Sequence, residues 1–209
     1  MQALDLPADL IVVDGSSTDG ALEGGFAREH GVRTLLVMRG RGGQSAQLRL
    51  AFAYAMRQGY EGVVQLDGNS KDGVNAGADY AQGNRFGPGG EQVNTPIVRL
   101  LAIRALHAPL VSVAAGRRLH DTTNGFRAYS RRYLLHLDVQ PFRDVFQTYE
   151  LNWYLSARAS QLGLVVTELP VSRRYLGGAV PTKISPLGGS SQMLWGVVRL
   201  LMGRLHPPT

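Results

Sequence analysis

Asp67 ends a run of mostly apolar residues, Val63-Val64-Gln65-Leu66, and Asn69 follows two positions later. A carboxylate and an amide so placed deliver oxygen ligands to the carboxyl edge of a sheet, where ligands bind in open α/β folds. Leu10-Ile11-Val12-Val13-Asp14 repeats the pattern, followed by Gly15-Ser16-Ser17-Thr18-Asp19-Gly20. Two strand-end carboxylates at one edge suit a nucleotide and a divalent cation, because Mg2+ and Mn2+ prefer hard oxygen donors. Lys71, one of only two lysines in the chain, stands just beyond Asp67 and Asn69. It is placed to add fixed positive charge to phosphates, the alternative being a solvated loop lysine.

Strand-and-helix alternation must position these groups. Leu10–Asp14 reads as a buried strand, Ala21–His30 as a helix and Arg33–Met38 as a second strand. Gly40-Arg41-Gly42-Gly43 opens a helix from about Gln44 to Gln58, with Leu48, Ala51, Phe52, Ala55 and Met56 near helical spacing. Gly62–Leu66 is a third strand and Ala78–Arg85 a short fourth. Asn94–Ala115 reads as a long apolar helix or helix pair broken near Pro109. Arg99, Arg104 and His107 interrupt it and argue against a membrane span. Arg117–Asn124 is a polar loop and Gly125–Ser130 strand-like. Phe146–Leu162 is a helix, Leu164–Leu169 a strand, Gly177–Ser191 a loop and Gln192–Leu205 an amphipathic helix. The expected fold class is α/β, a mostly parallel sheet flanked by helices with right-handed crossovers. Residues 1–175 form its single domain, and 176–209 add a loop and an amphipathic helix.

The 209 residues are enough for one sizeable core, and 26 glycines indicate many loops. With no cysteine, disulfides and thiolate metal sites are excluded. The start, Met1-Gln2-Ala3-Leu4-Asp5-Leu6-Pro7, lacks the basic and apolar regions of a signal peptide. A cytoplasmic protein is expected. Residues 1–116 carry ten basic and eleven acidic side chains, whereas 117–209 carry twelve and five. The basic second half suits phosphates or an anionic membrane surface. Nucleic acid is not expected, because no basic run is interleaved with aromatics.

In this order the segments resemble the family 2 glycosyltransferases, of GT-A fold, in the branch similar to dolichol-phosphate mannosyltransferase. The strand-end Asp14 with its Gly/Ser/Thr turn, the Gly40–Gly43 helix entry, and Asp67-Gly68-Asn69 at the Asp-x-Asp position carry the first half of the resemblance. Gly83-Asn84-Arg85-Phe86, Asn124-Gly125-Phe126-Arg127 and Glu150 carry the second. The family's first strand is expected to be missing, and the stretch between Gly73 and Gly83 is shorter than usual.

The resemblance implies sugar transfer from a nucleotide-diphosphate donor to a lipid-phosphate or saccharide acceptor, with inversion. It implies Mg2+ or Mn2+ at Asp67 and Asn69, and nucleotide contacts from Asp14, Gly15, Ser16, Arg41 and Lys71. Arg85 and Arg127 are expected to clamp donor or acceptor phosphate, and Glu150 to act with Asp67 in catalysis as a general base. If the acceptor is a lipid phosphate, it is already ionised and needs no base. Asp14 as a turn residue, Glu150 as a helix-dipole residue, and Arg85 and Arg127 as surface ion pairs stand as structural alternatives. Arg173, Arg174 and Lys183 are expected to face an anionic acceptor or the cytoplasmic membrane face, and the last helix either to dock on the domain or to lie on a bilayer face. The rival function is a non-catalytic remnant that binds a nucleotide or a partner.

Overall fold

Runs of β-branched and aliphatic residues form the first three strands of this chain, seen in a computed structural model. The structure describes residues 8–18, 20, 22, 24–40, 43–66, 77–174 and 188–208. Strand β1 (Leu10–Asp14) pairs in parallel with β2 (Val32–Val37). A second sheet runs β3 (Gly62–Gln65), β6 (Arg127–Ser130), β4 (Tyr80–Asn84), β7 (Val166–Pro170). Here β6 lies antiparallel between β3 and β4, while β4 and β7 are parallel. Two short strands, β5 (Glu91–Val93) and β8 (Ser172–Arg174), add another parallel pair. Parallel pairing thus predominates among the described strands, with β6 as the antiparallel insertion.

Helices cover these sheets. They are α1 (Phe26–Glu29), α2 (Gln44–Arg57), α3 (Ile97–Leu101), α4 (Ala108–Ala115), α5 (Arg131–Leu134), α6 (Glu150–Gln161) and α7 (Gly188–Leu201). A wide π turn, Ala102–His107, joins α3 to α4. Helix α2 packs on both β1 and β3, bridging the two sheets. Helix α7 packs on α4 and α6, so the C-terminal helix is part of the same packed body. The core gathers Phe52, Tyr80, Tyr129, Tyr133, Leu151 and Leu155, all at most 2% exposed.

Several expected elements change. The helix expected over Ala21–His30 shrinks to Phe26–Glu29, because Gly24 and Gly25 sit at φ +70° and +104°, where helical continuation is impossible. No break occurs at Pro109. Its ring would crowd the carbonyl of Ala105, which lies within the π turn, and the wider turn supplies the space a regular turn lacks. The helix expected from Phe146 starts at Glu150, after Phe146 has been buried in the core. The last helix starts at Gly188, inside the loop expected over Gly177–Ser191, and ends at Leu201 rather than Leu205; the rest of that loop, 177–187, lies outside the described residues.

The stretch Ile97–Ala115 is 19 residues long with a mean hydropathy of 1.6, enough by length and composition to cross a membrane. One side of it nevertheless belongs to the protein interior, through Ile103, His107, Ala108, Val111 and Ala115.

Candidate active site

Four chain segments converge at the carboxyl ends of β1 and β3. The first is the turn after β1. The Asp14 carboxylate accepts the Ser17 N–H at 2.9 Å and the Ser17 hydroxyl at 2.6 Å. These bonds, the hydroxyl first, hold its pKa below the usual carboxylate value. Ser16 takes a left-handed conformation, φ +66°, and its hydroxyl donates to the Met38 carbonyl at 2.6 Å. Strain of this kind collects at ligand sites and is held here by the end of β2. Gly15 packs beside Gln47 of α2.

The second and third segments are the first turns of α2 and α6. The Gly43 N–H donates to the Gln147 carbonyl at 2.9 Å, and the Ser45 N–H to the Thr148 carbonyl at 2.7 Å. The Leu151 N–H donates to the Ser45 hydroxyl at 3.1 Å. A Cβ on Gly43 would meet the Gln147 carbonyl oxygen at 2.9 Å, so only glycine allows this approach of backbone to backbone. Two helix N-termini, each with partial positive charge, therefore sit side by side. Glu150 opens α6 in that field. It is 7% exposed, and its carboxylate accepts the Thr148 N–H at 2.8 Å.

The fourth segment is the end of β3. Gln65 is buried, with its Oε1 3.0 Å from the Tyr129 hydroxyl, which lies 3.4 Å from Asn152 Oδ1 on α6. Asn152 in turn donates to Gln44 Oε1 at 3.3 Å. The end of β3 is thereby tied to the α2–α6 junction. Asp67, Asn69, Lys71 and Arg41 themselves lie outside the described residues.

The structure corrects the two arginine assignments. Arg85 and Arg127 are 2% and 1% exposed, and neither is placed to clamp a phosphate. Arg85 grips the Asp121 carboxylate through Nε at 2.6 Å and Nη2 at 2.8 Å, and its Nη2 also donates to the Thr123 hydroxyl at 3.0 Å. Arg127 donates to the carbonyls of Asn124 (2.8 Å), Thr122 (2.9 Å) and Asn152, and to the Ser156 hydroxyl at 3.0 Å. They are not surface ion pairs either. They tie the 121–124 loop to the end of β4 and to α6. Asn152, Gln65 and Tyr129, the polar links under the site, were not among the expected site residues. The signal for Asn152 was present, a polar residue two positions after Glu150 at the start of a helix.

His107 lies behind this loop. Its Nδ1 is 2.7 Å from the Thr122 hydroxyl, and its ring meets Trp153 edge-on at 5.0 Å. Burial, aided by the positive field of Arg127, pushes its pKa down to about 4, so the folded protein holds it neutral. The unfolded chain takes up this proton below about pH 6.5, and the folded one does not until about 4. Stability is therefore fully present above pH 6.5 and is lost as pH falls through that window, by about 1.4 kcal/mol per unit. Urea unfolding at pH 7 and pH 5 should show this loss. His107→Gln should flatten the slope. His206, also depressed by burial, changes both proteins alike, so the difference between them isolates His107.

No protein-family model matches the chain. Over 197 residues, 87% of this chain and 71% of the relative, it is 30% identical to the polyprenol monophosphomannose synthase of Mycolicibacterium smegmatis. The chain belongs to the family 2 glycosyltransferases, in the branch similar to dolichol-phosphate mannosyltransferase. It is thus a glycosyltransferase of the kind that uses a nucleotide-sugar donor. The undecaprenyl-phosphate mannosyltransferase of Micrococcus luteus is 25% identical to the transferase over 184 residues, 81% of this chain and 74% of the relative. The fold also matches crystal structures of glucosyl-3-phosphoglycerate synthase from Mycobacterium tuberculosis. The complex with phosphoglyceric acid has a TM-score of 0.63 at 18% identity, covering 96% of the transferase and 70% of that chain. The complex with Mn2+ and UDP-glucose has a TM-score of 0.60 at 20% identity, covering 96% and 69%.

Proposed function

We propose that this transferase moves a hexose, mannose first among candidates, from a nucleotide-diphosphate sugar to a polyprenyl phosphate. The observation that carries the reading is its similarity to relatives named for polyprenyl or dolichyl phosphate sugar transfer. Site geometry supports it. The nucleotide fits between the Asp14–Ser17 turn and the first turn of α2. The diphosphate faces the paired N-termini of α2 and α6, whose partial positive charges favour an anion.

A divalent cation, Mg2+ or Mn2+, belongs to this reading. Asp67 and Asn69 would hold it, with Lys71 adding charge. Among the described residues, no group of three or more His, Asp or Glu could do so. A carboxylate and an amide just past the buried end of β3 are the hard oxygen donors such ions take. When bound, the ion offsets charge gathering on the leaving diphosphate.

An acceptor phosphate oxygen attacks the anomeric carbon as the bond to the donor phosphate breaks, inverting that centre. The attacking oxygen is already ionised, so Glu150 need not remove a proton. Its carboxylate instead holds Thr148 and, through it, the α2–α6 junction. The place of action is the cytoplasm or the cytoplasmic membrane face.

Thermal unfolding with UDP, GDP, dTDP and CDP, each with and without Mn2+, should show one nucleotide raising Tm in a metal-dependent way. Transfer to a short-chain polyprenyl phosphate should then survive Glu150→Gln within about tenfold, whereas a general base would lose about 100- to 10,000-fold. A cooperative transition that no nucleotide moves would replace this reading with the non-catalytic one.

A further inference from the structure

The outer side of the Ile97–Ala115 helix is apolar and uncovered. Ile97 is 73% exposed, Val98 81%, Leu101 59%, Leu106 49% and Val113 71%. Ala102, Ala105 and Pro109 are exposed between them, so the stripe runs the length of the helix at near-helical spacing. Scattered exposed apolar residues are ordinary, but a continuous stripe of this length is a contact surface.

Helix α7 extends it. Helices α4 and α7 pack on each other and both on α6, so their outward faces lie on one side of the molecule. On α7 these faces carry Leu194 (46% exposed), Trp195 (54%) and Leu201, with Met202 just beyond its end.

Charge identifies what this side meets. No Asp or Glu occurs from Gln92 to His120 or from Leu169 to Thr209, while Arg99, Arg104, Arg117 and Arg118 lie in the first stretch and Arg199 and Arg204 in the second. Arg104, Arg117 and Arg118 line one cleft of about 580 Å3 with Phe86, and Pro109 and Val113 of the stripe form its wall. Apolar side chains flanked by arginines, in stretches that themselves carry no carboxylate, match a bilayer with anionic headgroups. A protein partner would need its own acidic face.

We infer that the outer face of α3–α4, continued by α7, docks on an anionic bilayer, lying along it with the arginine-lined cleft at the headgroup level. It does not cross the bilayer, because Ile103, His107, Val111 and Ala115 of the same helix are buried in the core. The choice of a bilayer rests in part on the lipid-phosphate reading of the acceptor. The geometry adds a link between this face and the site. The inward side of α7 is Gly196, where a Cβ would meet Trp153 Cζ3 at 2.6 Å and Glu150 Cγ at 3.4 Å. One helix thus runs close beside Glu150 on its inner side and presents Trp195 outward.

The test uses the full chain with vesicles of phosphatidylcholine alone or mixed with phosphatidylglycerol. Sedimentation should show binding to the mixed vesicles, weakened by high salt. The chain has two tryptophans, and Trp153 is 4% exposed, so a blue shift of emission on binding reports Trp195. Val98→Glu with Leu101→Glu should weaken binding by about tenfold or more, since each substitution puts a carboxylate where an aliphatic group would be buried. Tm should stay unchanged, because both side chains are exposed. No vesicle binding, binding untouched by the double substitution, or a wild-type dimer that it splits would each overturn the inference. Transfer to a water-soluble short-chain polyprenyl phosphate is measured separately. Its absence in wild type sinks the acceptor reading and leaves the vesicle result to decide the docking face. Its retention in the double variant confirms that the face acts in docking alone.

Discussion

Asp121→Ala should destabilise the transferase by about 3–5 kcal/mol, read as a fall in the urea midpoint at pH 7. Asp121 and Arg85 have side chains 0% and 1% exposed and are joined by two hydrogen bonds. Removing the carboxylate takes the bidentate partner from a guanidinium that stays in the interior. An arginine stays protonated at any pH the protein survives, so titration gives no escape. The Asp121 carboxylate also accepts the Arg85 backbone N–H at 3.2 Å, and its carbonyl accepts from Gln82. The loop carrying Thr122 and Asn124 would loosen with it. Since Arg127 holds the carbonyls of both, the disturbance should reach Asn152 on α6. Replacing both partners with apolar residues, Arg85→Met with Asp121→Leu, should recover most of the loss, because the large term is the stranded charge. A single-variant loss under about 1 kcal/mol would show that water enters and solvates Arg85.

Asp67→Ala should lower sugar transfer by about 100- to 10,000-fold, and abolish the metal-dependent part of the nucleotide Tm shift. Stabilising the leaving diphosphate through a bound cation is worth several kcal/mol, at about 1.4 kcal/mol per factor of ten. The loss should appear in kcat, because charge grows on the diphosphate during bond breaking rather than on binding. Raising Mn2+ should not restore the rate, whereas Asn69→Ala should lose less and respond to added Mn2+. Calorimetry with Mn2+ and the nucleotide that wild type prefers would check the same point apart from turnover. Unchanged metal dependence in Asp67→Ala would place the cation elsewhere and overturn the assignment of the strand-end pair.

Local chemistry in the sequence determined much of this. The Leu10–Asp14 and Gly62–Gln65 strands, the α2 helix and the Ser-rich turn after Asp14 were legible because period, propensity and turn chemistry are properties of neighbouring residues. The order of motifs also sufficed to recognise the family. Asp14 shows the limit: its turn role was one of two readings, and the Ser17 hydrogen bonds display it without testing a ligand role.

Tertiary structure decided what the arginines do. Arg85 and Arg127 resemble phosphate clamps beside flexible glycines, yet Asp121 lies 36 residues from the first and Asn152 lies 25 from the second. Burial turns both into internal fasteners, Arg85 through a carboxylate remote in sequence and Arg127 by joining the nearby Thr122 and Asn124 carbonyls to the remote Asn152 and Ser156. The antiparallel insertion of β6, the π turn that absorbs Pro109, and the seat of Gly196 on Trp153 depend likewise on surfaces meeting across the fold. Local sequence sets backbone conformation and the types of groups available. Which groups reach a ligand, a lipid or the core depends on which are desolvated, and desolvation is fixed only when remote segments pack.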